Sequence, residues 1–166
     1  MPKVRIEELT RDAFAPFGTF ANMLNPDTEA IGESPSKFHR DMVLLPTMHP
    51  QSLTAFSTCR VEKRPLVVDV TEYHSYTAEG NLPLDADALI HVGPATANGI
   101  VPWDKIRIFR VPRGTFVTTY PGVWHHAPFA HGADVLNMLI VLPERTYAND
   151  CVVVEATEAQ KVYIEA

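Results

Sequence analysis

Two short stretches of the chain carry side chains that bind transition metals. Residues 72–79 contain Glu72, His74 and Glu79, and residues 120–126 end in His125 and His126. Imidazole nitrogens and carboxylate oxygens suit Mn, Fe, Co, Ni or Zn, and a partial set of them leaves positions open for a substrate. The two stretches therefore predict one divalent metal site, with the identity of the metal left open among these five.

The first stretch has the spacing of a strand followed by a bend. Residues two apart on a strand face the same side, so Glu72 and His74 can both point into a barrel. Glu79 comes after the bend and can return to the same point. The spacing thus predicts His74 and Glu79 as metal ligands, with Glu72 beside them.

The second stretch begins with a tight turn, because Pro121 and Gly122 have the chemistry of one. His125 and His126 follow the turn and, as neighbours on a strand, are expected to face opposite sides. The offset of His125 from Gly122 predicts that His125 is the third metal ligand.

The elements that must position these side chains are short strands. The 14 prolines and 8 glycines cut the 166 residues into short pieces, which favours an all-β barrel or sandwich over a helical bundle. We expect one domain, residues 1–166, with a short helix in Leu9 to Phe14 and a helical turn at residues 157–160. Predicted strands are 42–45, 53–60, 65–70, 88–92, 106–111, 115–119, 135–142 and 151–154.

Charge and hydropathy exclude two classes of partner. The net charge is −6 without a basic block, which argues against binding to a nucleic acid backbone. No apolar run reaches the length of a membrane span, and the N-terminus lacks the apolar segment of a signal peptide. Cys59 and Cys151 are expected to be reduced thiols, so a cytoplasmic location is predicted.

The spacing of the candidate ligands resembles the two motifs of cupins. In those motifs, two histidines and a glutamate precede a single histidine that follows a Pro/Gly turn. Glu72 stands here at the first histidine position, which gives Glu72-x-His74-x4-Glu79 and, later, His125. The resemblance implies a double-stranded β-helix, or jelly-roll barrel.

Over nearly its whole length, the chain resembles the ureidoglycolate lyase family, a cupin-like group. The likeness rests on these segments: Leu9-Thr-Arg-Asp-Ala-Phe-Ala-Pro-Phe-Gly18, Lys37-Phe-His39, Arg60, Pro65-Leu66 through Glu72-x-His74, Trp124-His-His126 and Asn149-Asp-Cys151. The chain departs from the family beside the reacting centre. Tyr73 and Ser75 replace an arginine and a proline, Glu79 replaces a glutamine, and Thr119-Tyr120 replaces a Tyr-His pair.

This resemblance implies a lyase that splits ureidoglycolate into glyoxylate and urea during purine or allantoin breakdown. Proton transfer is assigned to Glu72 and His126, with Tyr120 beside them. A small carboxylate substrate would be bound by basic and aromatic groups, for which the candidates are Arg60, Lys37, Tyr73 and Arg110. The resemblance also implies a homodimer.

Two alternatives stay open because the departures lie beside the proposed site. The first is another cupin enzyme acting on a small oxygenated acid, namely an isomerase, decarboxylase, dehydratase or dioxygenase. The second is a cupin that binds a small ligand without catalysis. Metal content and the products formed from ureidoglycolate distinguish these alternatives from the lyase.

Overall fold

The computed structural model describes residues 2–48 and 52–165. Over these ranges nearly all regular structure is strand. The strands are β1 (Lys3–Glu8), β2 (Gly18–Asn22), β3 (Ala30–Ile31), β4 (Phe38–His39), β5 (Thr54–Glu62), β6 (Val67–Val68), β7 (Val70–Tyr73), β8 (Glu79–Pro83), β9 (Asp87–Val92), β10 (Arg107–Val111), β11 (Thr115–Thr119), β12 (Phe129–His131), β13 (Val135–Pro143), β14 (Val152–Glu155) and β15 (Val162–Glu165).

Two sheets contain most of these strands. One has the order β12-β9-β10-β1-β15-β6, and the other has the order β2-β11-β8-β13-β5. Strand β1 pairs in parallel with both β10 and β15, whereas the remaining pairs are antiparallel. Strand β7 pairs with β14 outside the two large sheets, and it carries the chain to the candidate site.

The two large sheets pack face to face. A single buried apolar cluster takes Ile90 and Phe109 from the first sheet and Val117, Leu136 and Met138 from the second. Burying both inner faces in one core is how antiparallel sheets close into a sandwich or barrel. The structure therefore confirms the predicted all-β, cupin-like barrel.

Short helical turns lie near both ends, as expected. Helix α1 (Arg11–Phe14) begins after Thr10, whose hydroxyl accepts a hydrogen bond from the Ala13 amide at 3.3 Å. Near the C-terminus, α2 (Thr146–Asn149) lies between β13 and β14. Residues 157–160 form a hydrogen-bonded turn, closed by a bond from the Gln160 amide to the Thr157 carbonyl.

Candidate metal centre

Glu79, the first residue of β8, lies at the centre of the candidate site. Its Oε2 atom is 3.1 Å from Nε2 of His74 and 3.4 Å from Nε2 of His125. Glu72 adds a second carboxylate, and one potential ligand atom from each of the four residues lies within 4.8 Å of the others. We call Glu72, His74, Glu79 and His125 the histidine–carboxylate cluster.

Backbone hydrogen bonds bring the two sequence stretches together. Glu72 and His125 exchange a pair of N–H···O bonds of 2.6 and 2.8 Å, as in an antiparallel ladder. The Gly122 amide donates to the His74 carbonyl at 2.7 Å. Gly122 has a φ of +80°, which side chains with a Cβ rarely adopt. The Pro-Gly turn thus delivers His125 to the end of β7.

The second nitrogen of each histidine ring is occupied by a carbonyl. Nδ1 of His74 lies 2.6 Å from the Asp150 carbonyl, and Nδ1 of His125 lies 2.8 Å from the Val123 carbonyl. Because a carbonyl only accepts, each Nδ1 carries the proton and each neutral ring has its lone pair on Nε2. Both lone pairs therefore point toward Glu79, an arrangement typical of metal-binding histidines.

Asp150 holds the bend that follows His74. Its carboxylate accepts hydrogen bonds from the Ser75 amide at 2.7 Å and from the Tyr76 amide at 2.8 Å, while its carbonyl accepts from the His74 ring. Only 7% of Asp150 is exposed, so water competes little for these bonds. Asp150 therefore holds the bend with its carboxylate and the His74 ring with its carbonyl.

Among the described residues of the site there is neither lysine nor arginine, so its own positive charge can come only from imidazole. Burial disfavours a charged Glu79, but the histidines outweigh that effect and hold the pKa of Glu79 well below its usual value. Burial likewise opposes a charged His125, yet the Glu79 carboxylate raises the pKa of His125 to about 8. A proton on His125 would satisfy one of the two Nε2 atoms, whereas a divalent cation would satisfy both together with the two carboxylates. The donor set therefore fits a metal ion.

The cluster opens into a pocket of about 290 Å³. One wall comes from β5, β8 and β13, and the opposite wall comes from β7 and the segment after His125. Among the described residues, neither lysine nor arginine lines it. The lining residues are Ser57, Thr58, Cys59, Glu72, His74, Glu79, Asn81, His126, Ala127, Pro128, Ile140, Leu142, Tyr147 and Cys151.

Glu72 also contacts two groups outside the cluster. The Cys151 thiol donates to its Oε2 atom at 3.3 Å, and Nε2 of His126 lies 3.9 Å from the same oxygen. Burial and the Glu72 charge raise the pKa of Cys151 to about 12. The expectation that His126 faces away from His125 is wrong, because the ladder ends at His125 and the chain then loses the alternation of a strand.

The three predicted basic residues are not brought to this pocket. Arg60 lies on the exposed side of β5 and donates to Asn137 at 3.3 Å. Arg110 lies on the other large sheet, where it is paired with Glu8 and Asp87. Lys37 is exposed just before β4. The sequence identified these residues as basic, but it did not show which face of each strand borders the pocket.

The two predicted tyrosines also lie away from the pocket. Tyr73 alternates with Glu72 and His74, so it faces the opposite side of the strand. There its ring packs edge-on with the ring of Trp124, and the two ring centroids are 4.6 Å apart. Tyr120 precedes the Pro-Gly turn and borders a separate depression beside α1 and β2. Neither tyrosine is among the residues that line the pocket.

Sequence analysis missed two polar residues of the site. Asn81 lines the pocket and donates to Oε1 of Glu79 at 3.1 Å. Its position two residues after Glu79 is a signal that strand alternation could have used. Asp150 had no comparable signal, because its role depends on a contact with a bend 74–75 residues earlier in the chain.

The geometry agrees with what comparison with known proteins shows. The model of a family described as ureidoglycolate lyase matches residues 1–164. The chain belongs to this family. A ureidoglycolate lyase of Stutzerimonas stutzeri is 25% identical over 99% of this chain and 96% of its own. One of Pseudomonas entomophila is 31% identical over 76% of each chain.

A solved structure, the oxalate decarboxylase of Bacillus subtilis, aligns with 80% of this chain and 30% of its own, at 18% identity and a TM-score of 0.44. The family match confirms the predicted resemblance, and the ureidoglycolate lyase relatives support an enzyme of this type. Within the described residues, the structure has no helix long and apolar enough to cross a membrane. Cys59 and Cys151 are free thiols, as expected.

Proposed function

We propose that this protein is a divalent-metal-dependent lyase that splits ureidoglycolate into glyoxylate and urea. The observation that carries the proposal is the convergence of two Nε2 lone pairs and two carboxylates at the base of a pocket, in a member of the ureidoglycolate lyase family. The pocket volume of about 290 Å³ suits a small substrate of this kind.

The reaction consumes no water. The hydroxyl group of the substrate loses its proton and becomes the aldehyde of glyoxylate. The bond between the same carbon and nitrogen breaks, and its electron pair stays on the nitrogen, which gains a proton to give urea. The protein must therefore bind the acid, accept one proton and deliver one proton.

Four side chains would hold the ion. His74, His125 and Glu79 offer Nε2, Nε2 and Oε2, and Glu72 offers a fourth ligand atom at the same point. A bound divalent ion would supply Lewis acidity, which lowers the pKa of a hydroxyl group attached to it. The carbonyls of Asp150 and Val123 keep the two rings turned toward the ion position.

His126 is the group that we propose to move the proton. Its ring lines the pocket, and its Nε2 atom lies close to Glu72 without being one of the four clustered ligands. His126 would accept the hydroxyl proton at Nε2 and return it to the leaving nitrogen. Glu72 would stabilise the imidazolium that forms when His126 takes the proton, and the Cys151 thiol would keep the Glu72 carboxylate in place.

The test is a product assay on purified protein stripped of metal and reloaded separately with Mn²⁺, Fe²⁺, Co²⁺, Ni²⁺ or Zn²⁺. We expect glyoxylate and urea in equal amounts from ureidoglycolate with at least one ion, and none after chelation. Turnover that survives complete chelation would refute the metal requirement. Loaded protein that binds ureidoglycolate but leaves it intact would refute the lyase.

The biological setting is part of the same proposal. Ureidoglycolate arises in purine and allantoin breakdown, so we place the enzyme there, in the cytoplasm. We also propose a homodimer, supported by the long strand β5 (Thr54–Glu62), which ends one sheet with an open edge. Size determination in solution tests the homodimer, and a monomer would refute it.

A further inference from the structure

Asn81 lies in the wall of the pocket formed by β5, β8 and β13, where Glu79 is the charged residue among those that line it. It is on β8 and pairs with Ile140 on β13, which pairs in turn with Ser57 on β5. All three line the pocket. They form a row across the sheet, and Glu79 stands two residues before Asn81 on the same face of β8. The row therefore begins directly beside the proposed ion position.

The orientation of the Asn81 amide is determined by Glu79. The carboxylate of Glu79 only accepts hydrogen bonds, so the group 3.1 Å from its Oε1 atom must be the NH₂ of Asn81. The side-chain oxygen of Asn81 has no donor among the residues that the structure describes. This oxygen is not among the fully buried unpaired side-chain atoms of the described residues, so it is open to the pocket that Asn81 lines and can accept a hydrogen bond from a ligand there.

We propose that the side-chain oxygen of Asn81 accepts a hydrogen bond from the terminal NH₂ of the ureido group and makes the site specific for carbamoyl compounds. This inference rests on the proposed function, because it assigns the two ends of that substrate. The same residue has a second task, which is to hold Oε1 of Glu79 so that Oε2 points to the histidines.

Charge determines which end of the substrate lies at Asn81. Neither lysine nor arginine lines the pocket among the described residues, and Glu72 and Glu79 would repel a free carboxylate. The carboxylate of the substrate must therefore lie at the cation. The opposite end is a neutral NH₂, which only donates, and the acceptor in the neutral row is Asn81. An NH₂ replaced by a methyl group would leave the Asn81 oxygen unpaired.

The test uses two inert ligands that differ in this group alone. N-carbamoylglycine has the terminal NH₂, N-acetylglycine has a methyl group in its place, and neither has the hydroxyl group needed for cleavage. Their dissociation constants are measured by calorimetry on protein loaded with Mn²⁺ and, in parallel, with Ni²⁺. We expect wild-type protein to bind N-carbamoylglycine about tenfold more tightly, the equivalent of one hydrogen bond.

Two matched variants separate the two tasks of Asn81. Asn81→Leu and Asn81→Asp both lose the NH₂ that binds Glu79, but only Asn81→Asp keeps an acceptor oxygen. We expect the preference to disappear in Asn81→Leu and to persist in Asn81→Asp, although both bind the metal less tightly. Asn81→Ala replaces Asn81→Leu in the comparison if leucine disturbs packing.

Three results would overturn the inference. They are wild-type protein without a preference, a preference that survives in Asn81→Leu, and an equal loss in both variants, which would mean that Asn81 acts only through Glu79. Failure of the proposed function gives a different pattern. A carbamoyl preference without cleavage of ureidoglycolate would refute the lyase and keep the inference. Cleavage without a preference would refute the inference and keep the lyase.

Discussion

Two groups of charged side chains lie in different parts of this barrel, and in only one of them is each carboxylate paired with an arginine. In the six-stranded sheet, Arg107 pairs with Glu7 on one face of β10, and Arg110 pairs with both Glu8 and Asp87 on the other face. We call these five residues the arginine cluster. Two guanidinium groups face three carboxylates there, and the forked contacts of Arg110 with Glu8 measure 2.7 and 2.9 Å.

The histidine–carboxylate cluster differs in both charge and burial. His74 and His125 are 3% and 6% exposed, whereas the arginine side chains are 33% exposed. Neither of its two carboxylates has an arginine or lysine partner within residues 2–48 and 52–165, and its two lone pairs point inward. The arginine cluster lowers the pKa of Glu7 and Glu8 by hydrogen bonds that are already complete.

The difference indicates which charged groups of a β-sheet protein can bind a ligand. In the arginine cluster, each guanidinium group is already paired with at least one carboxylate, so neither is left to bind a substrate. In the histidine–carboxylate cluster, acceptors converge without enough donors, and the shortage is what a cation corrects. Each prediction below tests this contrast.

The largest effect is expected when a histidine ligand is removed. His74→Ala and His125→Ala should each lose most of the metal and reduce lyase activity to background, because each variant removes one of the two imidazole nitrogens at the ion position. Metal analysis and glyoxylate release measure the two effects, and circular dichroism checks the fold. His131→Ala, on the edge strand β12, is the matched control and should keep both metal and activity. Full activity in His74→Ala would remove the proposed site.

A smaller loss is expected at the residue that holds the bend after His74. Asp150→Ala removes the acceptors for the Ser75 and Tyr76 amides, so the bend that follows His74 loosens and the Asp150 carbonyl is held less firmly against the His74 ring. We expect metal affinity to fall roughly 10- to 100-fold, as for other groups that orient metal ligands. Asp150→Asn keeps one acceptor oxygen and should lie between wild type and Asp150→Ala. Equal affinity in all three proteins would show that Asp150 does not position His74.

The sequence was sufficient for the fold class and for the convergence of the cluster. Strand alternation placed Glu72 and His74 on one side, and the Pro-Gly turn delivered His125 to them. The sequence was not sufficient at residues 42–45, where an apolar run predicted a strand that the structure does not form. Leu44 is 68% exposed there, because no neighbouring strand pairs with this segment and Pro46 follows it.

Arg110 shows why the remaining site residues were harder to predict. Its strand and its alternation were predicted correctly, but its partner Glu8 lies on β1, 102 residues earlier in the chain. Parallel pairing between such distant strands leaves no local signal. Without that pairing, a basic residue on a strand looks equally suited to a salt bridge and to a substrate. Long-range partners, not residue types, separate the two.

Metal removal should destabilise the protein through the histidine–carboxylate cluster alone. At a free metal concentration 100 times the dissociation constant, binding adds about 2.7 kcal/mol to the free energy of unfolding. For a chain of this length, that corresponds to a rise in Tm of roughly 5 to 11 °C. Scanning calorimetry with metal and with chelator measures it. The rise should vanish in His74→Ala, and an equal rise in that variant would show that the ion binds elsewhere.

The smallest effect is expected in the arginine cluster, because its side chains are already paired and are not expected to bind substrate. Arg110→Ala removes exposed ion pairs with Glu8 and Asp87, which contribute about 1 kcal/mol or less to stability. Urea denaturation should show this loss, while kcat/KM for ureidoglycolate stays unchanged because Arg110 is not near the pocket. Arg60→Ala, which loses one bond to Asn137, should behave alike. A tenfold fall in kcat/KM for either variant would mean that a guanidinium reaches the substrate after all, and that a neutralised cluster can still serve binding.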